Sequence, residues 1–423
     1  HAVVIDSFYP RFPSNARKKK INKQQSIQSE IEIISLGGRG DGVGKLSGKN
    51  VFVPFSSTGD KLLISMIGER GKIVEIIKPS LDRTVPFCPH FTICGGCVLQ
   101  HLNSDTYQSW KKNIVRTALC NQGLDVQIDD LIDAHGNGRR RVTLHVLFNK
   151  RKTQVGFMQG RSNELFDLDK CPVLTNSLSE VTIIARSLST PLMSFSRRLK
   201  IVITAFDCGL DCDIQIPMNL NNIDADIRTD LAKIATKLDL ARVAVSGDII
   251  VERRPPFIKL GQAKLFPPPS CFLQATLAGE KAIGDLVFKY ACGAYKVADL
   301  FCGIGFFALR LAVKSHVLAV DCDVSHISTL SKAVRNCQGL KPVIPEVRDL
   351  VSNPYMANEL SNFDCVIFNP PRSGAKAQAK EISNSGVPIV IAVSCYPASF
   401  ARDSSILTDG GYFLEKVTPI DQF

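Results

Sequence analysis

The sequence predicts a chain in three parts: a small N-terminal β-barrel, a central α+β domain, and a C-terminal α/β domain with a doubly wound, mainly parallel sheet. Three observations carry this. Residues 27–79 hold several short strand-like stretches separated by glycine turns, the pattern of a small closed barrel. From about residue 81 to 262 one amphipathic helix is followed by short strands and hairpins. From residue 263 onward, strand-like and helix-like stretches alternate, which means a sheet flanked by helices. At 423 residues the chain has the length for such parts.

Residues 1–23 show no period and carry Arg17-Lys18-Lys19-Lys20, so they are expected to form a solvated basic tail. The barrel strands follow as SEIEIISL, VFVPF, KLLISMIG and GKIVEIIK, with GGRGDGVGKLSGKN as turns. Arg39, Lys45, Lys49 and Lys72 would give that barrel a basic face suited to single-stranded nucleic acid. The whole chain carries a net charge of +11 and a pI near 9.0, which favours a polyanionic partner, nucleic acid first. No apolar run approaches the ~18 residues of a membrane span.

Most of the 14 cysteines stand singly in apolar stretches, as Cys292, Cys302, Cys322 and Cys365 do. That usage suits a reducing cytoplasm. CPHFTICGGC differs: Cys88, Cys94 and Cys97 are spaced by six and three, and Cys171 in DKCPVL is a plausible fourth. Four thiolates together want a soft metal, an iron–sulfur cluster or Zn²⁺. Spacing leaves both open and leans to iron–sulfur, because structural zinc sites more often pair two C-x₂-C knuckles. Residues 101–119 then read as an amphipathic helix started by Ser104 or Asp105. Arg139, Arg140 and Arg141 open a strand and are the candidate RNA contacts of the central domain.

The C-terminal domain is organised around VADLFCGIGFFALRLA, Val297 to Ala312. A strand containing Asp299 turns through Gly303 and Gly305 into a helix. Such a turn brings backbone N–H groups and a helix N-terminus against a ligand. Later strand-like runs end at Asp321, at Asp349, at Asn369 in FNPPRSG, and at Cys395 in AVSCYPASFARD. Ligands bind outside the carboxyl ends of such strands, so these residues are expected to share one site. Gln274 stands just before the first helix of the domain and would reach the same pocket or cap that helix.

Asp321 would accept the ribose hydroxyls of a nucleoside cofactor, and Asp349 the adenine amine. The turn D-x-F-C-G-x-G lacks the third glycine of a dinucleotide fingerprint, which tilts the choice from NAD to S-adenosylmethionine. Cys395 precedes a helix, a position that favours the thiolate as a nucleophile. A thiolate beside a methyl donor suggests one reaction. The sulfur adds to carbon 6 of a uracil, carbon 5 becomes nucleophilic and takes the methyl group, a base removes the carbon-5 proton, and the sulfur leaves. The uracil must first be extracted from its stack.

DLFCGIGFFALRLA, FNPPRSGA and AVSCYPASFARD together resemble the RNA uracil-5 methyltransferase family. CPHFTICGGC with CPVL is similar to that family's four-cysteine [4Fe–4S] site, and GDGVGKLSGKNVFVP resembles a TRAM domain. The likeness runs from about residue 27 to the end and is nearest to bacterial 23S rRNA members. It implies a TRAM/OB-like barrel (24–80), a central domain with the cluster site (81–262) and a Rossmann-like methyltransferase domain (263–423). It implies Cys395 as nucleophile, and Gln274, Phe301, Phe306, Asp321, Asp349 and Asn369 as cofactor-pocket positions. The implied partner is RNA, ribosomal ahead of transfer, for a cytoplasmic monomer with no membrane. Arg372 is a further RNA-contact candidate.

Departures from the family bear on this. Asn369 stands where the family usually has Asp, and Phe306 where some relatives carry a polar residue. The family's general-base glutamate lies in a closing segment absent before Phe423. Tyr396 and Asp421 are weak stand-ins. An antiparallel strand from that segment would lie beside the strand ending at Cys395, so the sequence is expected to be truncated or that edge covered by another element. Two other readings are weighed. NPPR partly resembles the NPP-aromatic loop of exocyclic-amine methyltransferases, with Arg372 in the aromatic place. A non-catalytic RNA-binding factor would keep the pocket without the base.

Overall fold

The computed structural model describes residues 3–5, 27–149, 152–216 and 223–423, so the basic run at 17–20 lies outside the described residues. The described chain falls into two compact units. One holds residues 27–114 and 156–168, the other 3–5, 115–149, 152–155, 169–216 and 223–423.

After β1 (Val3–Ile5), the smaller unit opens with β2 (Ile27–Leu36), β3 (Gly42–Leu46), β4 (Lys49–Val53), β5 (Lys61–Ile67) and β6 (Arg70–Lys78). These close into a barrel in the order β2-β3-β4-β6-β5. Alternation supplies its filling: Ile31, Ile33, Val51, Val53, Leu62 and Ile64 point inward and are buried. Helix α1 (Ser104–Cys120) follows. Its first turn is capped by Asn103, whose Oδ1 accepts from Thr106 N at 2.9 Å, one residue ahead of the expected start.

The larger unit contains two sheets. The strands of the first are β8 (Arg141–Phe148), β11 (Arg198–Phe206), β12 (Gly209–Gln215), β13 (Arg242–Val245) and β14 (Asp248–Glu252), side by side in that order. All their pairings are antiparallel except β12 with β13. Between them along the chain come β9 (Thr153–Met158), β10 (Leu165–Asp167), α2 (Val181–Ser189) and α3 (Ala225–Lys237). The hairpin β15 (Ile258–Leu260) and β16 (Ala263–Leu265) leads on.

The second sheet is the one that positions the site. Its chain order is α4 (Leu277–Tyr290), β17 (Lys296–Leu300), α5 (Phe306–Leu311), β18 (His316–Asp321), α6 (Val324–Arg335) and β19 (Val343–Val347). Then come α7 (Ala357–Leu360), β20 (Cys365–Phe368), α8 (Lys376–Ser383), β21 (Ile389–Ser394), α9 (Pro397–Asp409) and β22 (Val417–Asp421). With β1 and β7 (Ile132–Asp133), the order is β19-β18-β17-β20-β21-β1-β22-β7. Every neighbouring pair runs parallel. Both faces are apolar: Val297, Ile367, Ile391 and Val393 pack on one side, and Ala298, Leu300, Val366, Phe368 and Ala392 on the other.

The edge beside β21 is covered by another element, one of the two outcomes expected from the sequence, and that element is the parallel strand β1. Val3 pairs with Ala392 and Val417, and Ile5 with Ser394 and Pro419, both in parallel. The backbone of β21 thus meets its hydrogen-bond partners in a segment from the other end of the sequence. Val4→Pro takes one N–H out of this doubly paired strand. It is expected to lower the thermal midpoint by several degrees, on the order of 1–3 kcal/mol for a buried group left unpaired. An unchanged calorimetric midpoint would deny β1 any share in the sheet's stability.

Candidate cofactor and catalytic site

The turn after β17 is built from unusual backbone. Phe301 has φ 60°, Gly303 56° and Gly305 85°. A bulky residue in the left-handed region costs about 1–3 kcal/mol and persists only where its surroundings impose it. Gly305 has no alternative, because a Cβ there would lie 2.4 Å from Leu330 Cδ1. A Cβ on Gly303 would meet nothing within 4 Å, so its backbone faces open space.

Asp321 ties this turn to the next one. Its carboxylate accepts from Gly303 N at 2.9 Å and Asp323 N at 3.0 Å. His326, on the first turn of α6, places Nδ1 3.7 Å from Asp321 Oδ1 and Nε2 3.8 Å from Asp323 Oδ2. These are ion-pair rather than hydrogen-bond distances. Nε2 also lies 3.8 Å from Cys271 Sγ. Asp321 first and Cys271 second push the imidazole up to about 10, so it is cationic at neutral pH. Burial works to raise Asp321, but His326 and the two amides hold it below the usual carboxylate range. Nothing in the sequence pattern had marked His326.

Asp299 is fully buried, and neither carboxylate oxygen has a hydrogen-bond partner among the described residues. Burial pushes it up to about 8, with the nearby Ala308 amide opposing the rise and Asp321 adding to it. Asp349 is exposed and turned onto its own loop, accepting from Ser352 Oγ at 2.7 Å and Val351 N at 3.0 Å. The Ser352 hydroxyl, then the Val351 amide, holds it below its usual range. Both Asp321 and Asp349 act on the Cys322 thiol, which burial first and their charges second push up.

Register brings the strand ends to one edge. Leu300, Phe368 and Ala392 pair across β17, β20 and β21, so Leu300 and Ala392 stand about 10 Å apart across two strand spacings, and β21 runs two residues further, to Ser394. Asn369 follows β20 at once and donates its N–H to Leu300 O at 3.1 Å. Cys395, half-buried, stands between β21 and α9. The loop after Asn369 is strapped to α9. Ser399 Oγ donates to Arg372 O at 3.1 Å, Arg402 Nη2 to Ser373 O at 3.0 Å, and Ala375 N to the buried Asp403 at 2.7 Å. The Arg372 guanidinium lies over the Tyr396 ring, 4.6 Å from its centre.

Some expected residues are placed otherwise. Phe306 is turned onto α4: a Cβ on Gly284 would lie 3.0 Å from its ring, and Arg310 stacks on it. Arg140 is not an RNA-facing residue. It is buried, pairs with Glu280 and donates from Nε to Gln274 O at 3.1 Å. Arg141 donates to Ser270 O at 3.1 Å, and Arg139 stacks over Phe423. Asp421 is closed off, 1 % exposed, with His135 Nε2 3.4 Å away, so it is not placed to take a proton from a substrate.

Cys88, Cys94 and Cys97 lie on one loop of the smaller unit, and Cys171 belongs to the larger. Burial pushes the Cys94 thiol up, the Gly96 amide opposes this, and Cys88 adds to it. Among the described residues no three His, Cys, Asp or Glu side chains are gathered to hold a metal ion.

Residues 287–386 match the family model described as the methyltransferase small domain. An RNA methyltransferase of Brucella suis biovar 1 is 39% identical over 398 residues, covering 94% of this chain and 95% of the relative. The chain belongs to the RNA methyltransferase family. Another relative, the 23S rRNA (uracil(1939)-C(5))-methyltransferase of Vibrio parahaemolyticus, is 28% identical and covers 96% of this chain and 95% of its own length. The family resemblance read from the motifs is borne out by these relatives. The Pyrococcus abyssi tRNA (uracil-54, C5)-methyltransferase, solved with S-adenosyl-L-homocysteine, shares the fold at a TM-score of 0.68 and 22% identity, over 93% of this chain and 96% of that one. No described helix is long and apolar enough to cross a membrane.

The methyl donor of such an enzyme is S-adenosylmethionine, and the site fits it. Asp299 offers two buried oxygens without partners among the described residues, the Gly303 backbone faces open space, and Asp321 is held ionised at a strand end. The Asp299 carboxyl gives a sign-specific test. A free carboxyl titrates near 3.9, so in the folded protein this group contributes stability below that pH and loses it as pH rises towards 8. Asp299→Asn removes the dependence. Without cofactor, its melting temperature is expected to gain on the wild type by several degrees between pH 5 and 8.5, while its affinity for the cofactor falls. A difference that stays constant with pH contradicts the assignment.

Proposed function

We propose that this RNA methyltransferase transfers a methyl group to carbon 5 of a uridine in RNA, most directly 23S rRNA, through a Cys395–carbon 6 adduct. The observation that carries the reading is the register: Cys395 lies three residues beyond Ala392, as Gly303 lies three beyond its level partner Leu300, so both leave the same carboxyl edge two strand spacings apart. The named uracil-C5 relatives support the choice of atom.

In this reading Asp321 holds the ribose hydroxyls, Asp299 a cationic group of the cofactor, and Gln274 and the Gly303 backbone the rest, with Phe301, Asp349 and Asn369 around them. When bound, S-adenosylmethionine supplies an electrophilic methyl group. The chain's own contribution is to position and activate the base. The Cys395 sulfur adds to carbon 6 and leaves carbon 5 electron-rich. After methylation the carbon-5 proton passes to a base, which solvent water can supply, its C–H pair re-forms the carbon 5–carbon 6 double bond, and the sulfur is expelled with the carbon–sulfur pair. The strap between the Arg372 loop and α9 holds Cys395 at the edge where a flipped uracil would enter. Arg372, exposed over Tyr396, suits a phosphate or the base itself.

Cys395→Ala is expected to bind substrate RNA with near-wild-type affinity and to form no 5-methyluridine, a loss of at least 10³-fold for a covalent nucleophile (an order-of-magnitude figure). Nucleoside mass spectrometry of the product reads this. Normal 5-methyluridine from the variant refutes the adduct, and a methylated exocyclic amine in its place favours the other reaction.

The reading includes a reducing, cytoplasmic setting, a TRAM-type role for the barrel, and a [4Fe–4S] cluster on Cys88, Cys94, Cys97 and Cys171. The support for the cluster is donor type and spacing alone. Protein prepared without oxygen is expected to carry about four iron and four sulfide per chain, by the stoichiometry of such a cluster, and Cys171→Ser to lose them. Zinc in their place would assign the other metal.

A further inference from the structure

The surroundings of Gln274 determine which end of its side-chain amide is offered to a ligand. Thr276 caps α4, accepting on its hydroxyl from Gly279 N at 2.9 Å and donating that hydroxyl to Ala134 O at 2.6 Å. Its backbone N–H donates to Gln422 at 3.1 Å. A backbone N–H can only donate, so the Gln422 atom it meets is the oxygen. The other end of the Gln422 amide is then the NH₂ group, and it stands 3.0 Å from Gln274. Gln274 must accept there through Oε1. Its own NH₂ is turned the other way, where no described group accepts from it.

Neither amide is free to reverse. Gln422 is completely buried. It is wedged onto α4 so closely that a Cβ on Gly279 would come 2.2 Å from its amide carbon. Arg140 fixes the backbone at Gln274 and is itself paired with the buried Glu280. Turning the Gln422 amide would set its NH₂ against the Thr276 N–H and its oxygen against Gln274 Oε1, and turning the Gln274 amide would set two NH₂ groups face to face.

We propose that Gln422 is a positioning residue of the cofactor site: it locks the Gln274 side chain so that NH₂, and not oxygen, is presented to an acceptor oxygen of bound S-adenosylmethionine. This rests on the cofactor reading given above. The residue acts only through Gln274, and that makes it separable from a packing role.

The test is a double-mutant cycle read by calorimetric binding of S-adenosylhomocysteine, with circular dichroism to confirm folding. Gln422→Glu keeps the size and the acceptor for Thr276 but removes the donor, so Gln274 reverses and offers its oxygen. Kd is expected to rise about tenfold, the worth of one such hydrogen bond. Gln422→Leu, which unlocks the amide without reversing it, is expected to give a smaller rise. In a Gln274→Leu background neither substitution should change Kd further. With saturating S-adenosylmethionine the rate of methyl transfer should be retained, so the loss falls on KM. An unchanged Kd in both single variants overturns the proposal, as does an equal loss in the Gln274→Leu background. Failure of the wild type to bind S-adenosylhomocysteine removes the cofactor reading itself, and this proposal with it.

Discussion

The Asp321 carboxylate is the joint on which the larger unit's site depends. It stands at the end of β18, yet two of its bonds go to backbone amides, one in the turn after β17 and one at the start of α6. Two βα turns are thereby held in one geometry by a single anion. Burial makes that anion costly, and His326 offsets the cost from the same helix turn. The left-handed backbone at Phe301, Gly303 and Gly305 survives because both sides of the turn are tied down. A cofactor entering such a turn finds its amides and carboxylates already oriented, so little ordering remains to be done on binding.

Around this joint the parallel sheet acts as a ruler. Its register sets the ends of β17 and β20 level, with β18 one residue and β21 two residues beyond, so groups far apart in sequence project from one edge. The strand β1 completes the surface beyond Cys395. A second set of buried polar contacts, from Arg140 through Glu280, Thr276 and Gln422, ties the segment before α4 to the end of β22.

Much of this was legible in the sequence. Period-two alternation marked the barrel strands, and the glycine turn with its alternating βα runs marked the parallel sheet. Asp299, Asp321, Asn369 and Cys395 were found because a polar residue closing an apolar run is easy to see. What escaped depends on contacts distant in the chain. Nothing local in Val3–Ile5 says that it pairs with strands nearly 400 residues away. Arg140 reads as a surface arginine until Glu280 is brought beside it. His326 and Gln422 carry no motif, since each matters only through a carboxylate or amide supplied by another element.

The account stands on Cys395 meeting a uracil at the same edge where the methyl donor binds. The most direct test incubates the enzyme and S-adenosylmethionine with substrate RNA carrying 5-fluorouridine, whose fluorine cannot leave as a proton does. A denaturation-resistant protein–RNA adduct is predicted, and peptide mass spectrometry should find carbon 6 of the methylated base on Cys395. No adduct with an RNA that the enzyme methylates in its unmodified form, or an adduct on another cysteine, would contradict it.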